Sequence, residues 1–116
     1  MTPACARDRK TKDDGFDGTH LAELLSRHAV TRIALGGGMS EMCVAATART
    51  ALARGLGLVM PHDGHATYDI GVAPGIADPV PAAMASRVAE WSLGEEVEIR
   101  TMVGFAVQAL EAAAQL

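Results

Sequence analysis

The stretch Gly36-Gly37-Gly38-Met39-Ser40-Glu41-Met42-Cys43 sets a thiol a few residues beyond a glycine-rich turn. Before it, Val30 to Leu35 is a short apolar run stopped by the glycines, which reads as a buried strand. After it, residues 41–54 are rich in alanine. Ser40 is a good N-cap, Arg49 and Arg54 lie toward the C-terminal end, and Gly55 suits the stop. Cys43 then falls in the first helical turn, where free backbone N–H groups and the helix dipole favour negative charge. A thiol held there is favoured as the thiolate, the form that attacks carbonyl carbons. The same N–H groups suit an oxyanion as it forms on the attacked carbonyl. Position alone leaves a second reading open, in which Cys43 is a small buried residue packing the helix on a sheet.

Other reactive side chains carry weaker signals. Cys5 and Cys43 are the two cysteines. Without a CxxC spacing they read as reduced thiols rather than a disulfide or a zinc finger. His62 and His65 have an HxxH spacing, which in a loop is a poor metal signal, so loop packing is the expectation and no metal site is assigned. Asp63 reads as a hydrogen-bonding residue at a strand end, and His20 and His28 fit a helix without a function. Gly36 to Gly38 complete neither GxGxxG nor GxxxxGK[ST], the glycine patterns that cradle phosphates, although a nucleotide-binding use of the turn stays open. Lys10 and Lys12 read, from the residues alone, as solvated cations in a charged run.

The elements that would position these groups follow from periodicity. The chain has 116 residues, enough for one domain. Residues 1–18 are polar and irregular. Thr19 is a plausible N-cap for a helix over about 20–28, with Leu21, Leu24, Leu25 and His28 on one face. Leu56 to Met60 is a second buried strand ended by Pro61, so strand, turn, helix and strand make a parallel βαβ unit. Residues 61–77 read as a long loop of the kind that binds or closes over ligands. Asp78 and Pro79 would open a further helix with Val80, Met84, Val88 and Trp91 as its core stripe. Val97, Ile99 and Thr101 alternate as in a half-exposed strand. Val103, Val107, Leu110 and Ala114 mark one face of a last helix. Trp91 and the methionines are most simply core. Strands alternating with helices predict a three-layer α/β fold.

The formal net charge is −4, with acidic residues interleaved among Arg7, Arg9, Lys10 and Lys12, which argues against nucleic acid as a partner. No apolar run is long enough to cross a bilayer, and Met1 to Lys10 lacks the apolar core of a signal peptide. A cytoplasmic protein without a membrane partner is the expectation.

Four stretches in order resemble the isochorismatase-like hydrolases, the superfamily of nicotinamidases and N-carbamoylsarcosine amidases. GGMSEMCVAATARTALARG is similar to the family's nucleophile segment, and KTKDDGFDGTHLAELL to its Lys…Phe…Thr-x-Leu stretch. LGLVMPHDGHAT is similar to its strand ending in Asp-Ala, and VPAAMASRVAEW to the helix that follows. The resemblance covers roughly residues 10–101. It implies a three-layer α-β-α, Rossmann-like fold with a parallel sheet, of which 1–116 form one partial domain whose N-terminal strands lie outside this chain. It implies that Cys43 is a nucleophile and that Lys10, six residues before Phe16, stabilises the thiolate. It also implies an oxyanion hole from the backbone N–H groups of Met39 and Cys43, with a cis peptide between Gly38 and Met39. The expected activity is hydrolysis of an amide-type C–N bond in a small molecule, with no cofactor.

One departure is serious. The family's general base is an aspartate on the first strand, well before the lysine, and the family's metal ligands, where present, also lie upstream. Asp8 is too close to Lys10, while Asp13, Asp14 and Asp17 follow it, so none matches the position. A catalytically incomplete remnant of the family is therefore the alternative expectation. These 116 residues by themselves should hydrolyse amides very slowly or not at all, and should self-associate through an uncovered strand edge. An amide screen combined with size-exclusion chromatography checks both; full activity from a monomer would contradict them.

Overall fold

The computed structural model describes residues 7–114, so Cys5 lies outside the described residues. Residues 7–20 are irregular, as their polarity predicts. Helix α1 (Leu21–Arg27) follows, then strand β1 (Arg32–Ala34) and the two-residue strand β2 (Gly37–Gly38). A π-helical turn over Ser40–Val44 leads directly into helix α2 (Ala45–Ala53). Strand β3 (Gly57–Pro61), a 3-10 turn (His62–Gly64) and strand β4 (His65–Ala66) come next. Helix α3 (Ala82–Ser92), strand β5 (Val97–Arg100) and helix α4 (Met102–Ala114) complete the order.

Strands β1, β3 and β5 form a parallel sheet with β3 in the middle. The β1–α2–β3 unit is the βαβ crossover that the alternation of apolar runs and alanine-rich helix predicts. Strand β3 is a continuous apolar segment because it is covered on both sides: Leu58, Val59 and Met60 are all buried. Leu58 and Met60 share one core cluster with Val44 and Ala48 from the π turn and α2, and with Leu93 and Val97. Small alanine faces let this helix approach the sheet closely, which offsets the scarcity of aromatic residues.

Several expectations need correcting. His20, not Thr19, is the N-cap residue of α1 and has no side-chain cap bond, but the Thr19 hydroxyl accepts the Leu21 N–H at 3.3 Å and donates to the Gly15 carbonyl. Ser40 does not cap α2; its hydroxyl is buried against His65, and the chain enters the helix through a π turn instead. Helix α3 begins after Pro81 rather than at Asp78, with the Asp69 carboxylate accepting the Ala82 N–H at 2.7 Å. Its expected stripe faces outward: Met84, Val88 and Trp91 are more than half exposed. The buried face carries Ala85, Ser86, Ala89 and Glu90, because small residues allow close packing and the glutamate finds partners inside. On β5 only Val97 is buried, and Val103, Val107 and Leu110 of α4 are exposed. Residues 61–77 are more ordered than a loop: β4 pairs in parallel with β2, and single bridges join Ile70 to Val80 and Ala73 to Ala77. Asp63 does bond at the strand end, accepting the Met102 N–H at the start of α4.

The glycine turn and the end of β3 touch backbone to backbone. A β-carbon on Gly36 would lie 2.6 Å from the Gly64 carbonyl oxygen, whereas one on Gly71 would meet nothing within 4 Å. Gly36→Ala should therefore cost about 1–3 kcal/mol, and Gly71→Ala should stay within about 0.5 kcal/mol of the parent. Urea midpoints measure both, and equal midpoints would contradict the close approach.

Candidate active site

Cys43 is a half-buried free thiol in the π turn that follows β2. That turn is built on one carbonyl: Met39 C=O accepts the N–H of Met42 at 3.1 Å and of Val44, five residues on, at 3.2 Å. The peptide bond before it, Gly38–Met39, is cis. Met39 is extended, at φ −91° and ψ 143°. Gly37 and Gly38 pair with His65 and Ala66, so the glycine turn is anchored from below by β4.

The irregular segment before α1 docks on α2 beside the thiol. Thr47, one helical turn beyond Cys43, accepts the Gly15 N–H at 2.8 Å, and Thr50, a turn further, donates to Asp14. Phe16 is buried and lies under the Arg54 guanidinium, 5.2 Å from its ring centre. These contacts fix Asp13, whose carboxylate oxygen sits 3.5 Å from Cys43 Sγ and accepts its hydrogen bond. Lys10 loops back over the same segment, its Nζ donating to the carbonyls of Lys12 (3.0 Å) and Asp13 (3.4 Å). Lys10, Cys43, Thr47 and Gly36–Gly38 line one cleft of about 710 Å³, along with Asp8 and the apolar side of α1. Lys12, the rival lysine, pairs instead with Asp17 at 3.5 Å. Asp8 lies at the mouth and accepts the His20 N–H; that bond holds its carboxyl below the usual aspartate range.

Sequence reasoning did not single out Asp13 as the thiol's neighbour, because its place depends on how the segment folds back onto α2. It also missed a buried polar network directly behind the turn that carries Cys43. Ser40 Oγ lies 2.7 Å from His65 Nδ1 and 3.1 Å from Ser86 Oγ. His65 Nε2 lies 2.7 Å from Glu90 Oε2, which His62 Nδ1 also reaches at 2.6 Å. The HxxH spacing was the visible signal; the glutamate that joins the pair comes from α3. With its ring between Ser40 and Glu90, His65 ties β4 and α3 to the turn that carries Cys43.

Residues 3–73 match the Isochorismatase domain family. The chain belongs to that family. It is 67% identical over 91 residues to a streptothricin hydrolase of Streptomyces noursei, and 65% identical over 91 residues to a second one from the same organism. Each alignment takes in 78% of this chain but only 36% and 33% of the relative, so the chain spans about a third of the length of those proteins. A cysteine hydrolase from Pseudomonas syringae pv. phaseolicola superposes with a TM-score of 0.78 at 25% identity, over 90% of this chain and 48% of the other. An isochorismatase from Pseudomonas putida superposes at 0.75 with 21% identity, over 84% and 49%, which supports the shared fold. The α/β fold with a parallel sheet and the resemblance to the isochorismatase-like hydrolases both hold. Among the described residues no helix is long and apolar enough to cross a membrane.

The buried network makes Ser40 a sensitive position. Ser40→Ala removes the hydroxyl partner of His65 Nδ1 in a site closed to solvent, and should lower stability by about 1–3 kcal/mol. Chemical denaturation measures it; an unchanged midpoint would mean that the network contributes nothing to holding the turn.

Proposed function

We propose that the protein carrying these residues is a cysteine hydrolase that cleaves an amide-type C–N bond of a small molecule, with streptothricin as the substrate to try first. The observation that carries this reading is the thiol of Cys43 lining a cleft that Lys10 also lines, within hydrogen-bonding distance of a carboxylate. Two streptothricin hydrolases with about two thirds of aligned positions identical support trying that substrate first.

In the proposed reaction Cys43 Sγ attacks the carbonyl carbon while its proton passes to Asp13. The oxygen takes up negative charge, stabilised by the backbone N–H groups of Met39 and Cys43. The C–N bond then breaks, the leaving nitrogen takes the proton, and an acyl-thioester remains on Cys43. Water attacks the thioester, yields its proton by the same route to sulfur, and releases the acid. Lys10 lends positive charge to the cleft, which favours the thiolate. The reaction uses no cofactor. We place the protein in the cytoplasm, acting on a small molecule rather than on nucleic acid or membrane, and able to form homo-oligomers. A second reading, for these 116 residues taken alone, is a catalytically incomplete remnant of the family, since none of Asp8, Asp13, Asp14 and Asp17 matches the family's general-base position.

Mass spectrometry of streptothricin and simple amides incubated with the protein tests the assignment. Cys43→Ala should abolish turnover, and Asp13→Asn should lower kcat about a hundred- to ten-thousand-fold if the carboxylate acts as base. Turnover by Cys43→Ala near the parent rate would overturn the nucleophile; an unaltered Asp13→Asn would remove only the base.

A further inference from the structure

The side chains of His62, His65 and Glu90 converge outside the thiol cleft. Nδ1 of His62, Nε2 of His65 and a carboxylate oxygen of Glu90 all lie within 4.8 Å of one another. His62 opens a 3-10 turn and His65 follows it in extended conformation at the start of β4, which brings both rings to the same glutamate. The two rings stand nearly perpendicular, at 87°, with centroids 6.3 Å apart, and both direct a nitrogen at the same glutamate oxygen.

We propose that these three residues form a binding site for a first-row transition dication, Zn²⁺ before others. Two imidazole nitrogens and one carboxylate oxygen are a donor set suited to such ions, and three protein ligands leave a fourth position for water. Bond lengths of about 2.0–2.1 Å in a tetrahedral site separate the donors by about 3.3 Å. The present N···O distances of 2.6 and 2.7 Å must therefore widen by about 0.6 Å. His62, whose side chain is 54% exposed, can supply the first of these movements; the second requires a small shift of His65 or Glu90, both closed to solvent.

The surrounding contacts favour the bound form. Ser40 Oγ faces His65 Nδ1, so a proton on Nδ1 has an acceptor and Nε2 is left with its lone pair for the ion. The second Glu90 oxygen takes Arg87 Nη1 at 3.4 Å, which holds the carboxylate plane. With an ion bound, the ring protons would sit on the nitrogens that do not face Glu90, Nδ1 of His65 and Nε2 of His62. A shallow cavity bordered by His62, His65, Thr67 and Ser86 opens beside the donors and gives the ion and its water a way in. Through His65 and Ser40 the ion would clamp β4 and α3 against the turn that carries Cys43.

The test uses the whole chain carrying Cys5→Ser and Cys43→Ala, so that thiols supply no ligand, after chelation and dialysis. Titration calorimetry with Zn²⁺ should show one ion per chain, with a raised melting temperature, and Co²⁺ should develop visible ligand-field absorption. His62→Ala, at a half-exposed position, should keep the circular dichroism spectrum and weaken Zn²⁺ at least about tenfold; Glu90→Gln should do likewise. Absence of saturable Zn²⁺ binding, or binding that survives His62→Ala at full affinity, would overturn the proposal. Zn²⁺ binding is read independently of turnover, so its failure would leave the hydrolase reading standing.

Discussion

The Glu90 carboxylate is the buried group around which this part of the fold is arranged. Its side chain is closed to solvent, a position that charged residues occupy only when they are paired. Two imidazoles and an arginine reach it from β4, the 3-10 turn and its own helix. His65 passes the constraint on to Ser40, and Ser40 lies between the cis peptide and Cys43. A carboxylate that must be satisfied inside the protein thus fixes the back of the turn that presents the thiol, and no buried side-chain polar atom among the described residues lacks a partner.

The front of the turn is set by a different mechanism. Residues 13–16 have no secondary structure of their own and take their shape from α2. Thr47 and Thr50 present hydroxyls at successive turns of that helix, and Asp14 and Gly15 bind them. Phe16 closes the contact by burying its ring beneath Arg54. Because Cys43, Thr47 and Thr50 lie along one side of the same continuous helical path, the segment that grips the threonines brings Asp13 beside the sulfur. Lys10 joins through two backbone carbonyls, so its position depends on the same docking.

Packing explains why helices so poor in large side chains still build a core. Ala48 and Ala51 are fully buried, and Ala85 and Ala89 nearly so. Small faces bring the helix backbone close to β3, where dispersion contacts replace bulk. The larger apolar residues of α3 are left on the outside with Ile70 and Val80, where they border a second cleft.

The sequence by itself determined the parts governed by local rules. The glycine run, the alanine-rich segment and the two apolar runs specify strand, turn, helix and strand, and put Cys43 at their junction, because turn chemistry and hydrophobic period act within a few residues. Family membership was legible for the same reason: the segments that resemble relatives are contiguous. What only the tertiary structure decided depends on residues far apart in the chain. Asp13 meets Cys43 across 30 positions, and Glu90 meets His65 across 25. Helix α3 has two faces, one of large apolar residues and one of small residues with a glutamate. Hydrophobicity alone favours the first. The fold buries the second, because close approach to the β4 segment needs small side chains and because two histidines wait there for a carboxylate.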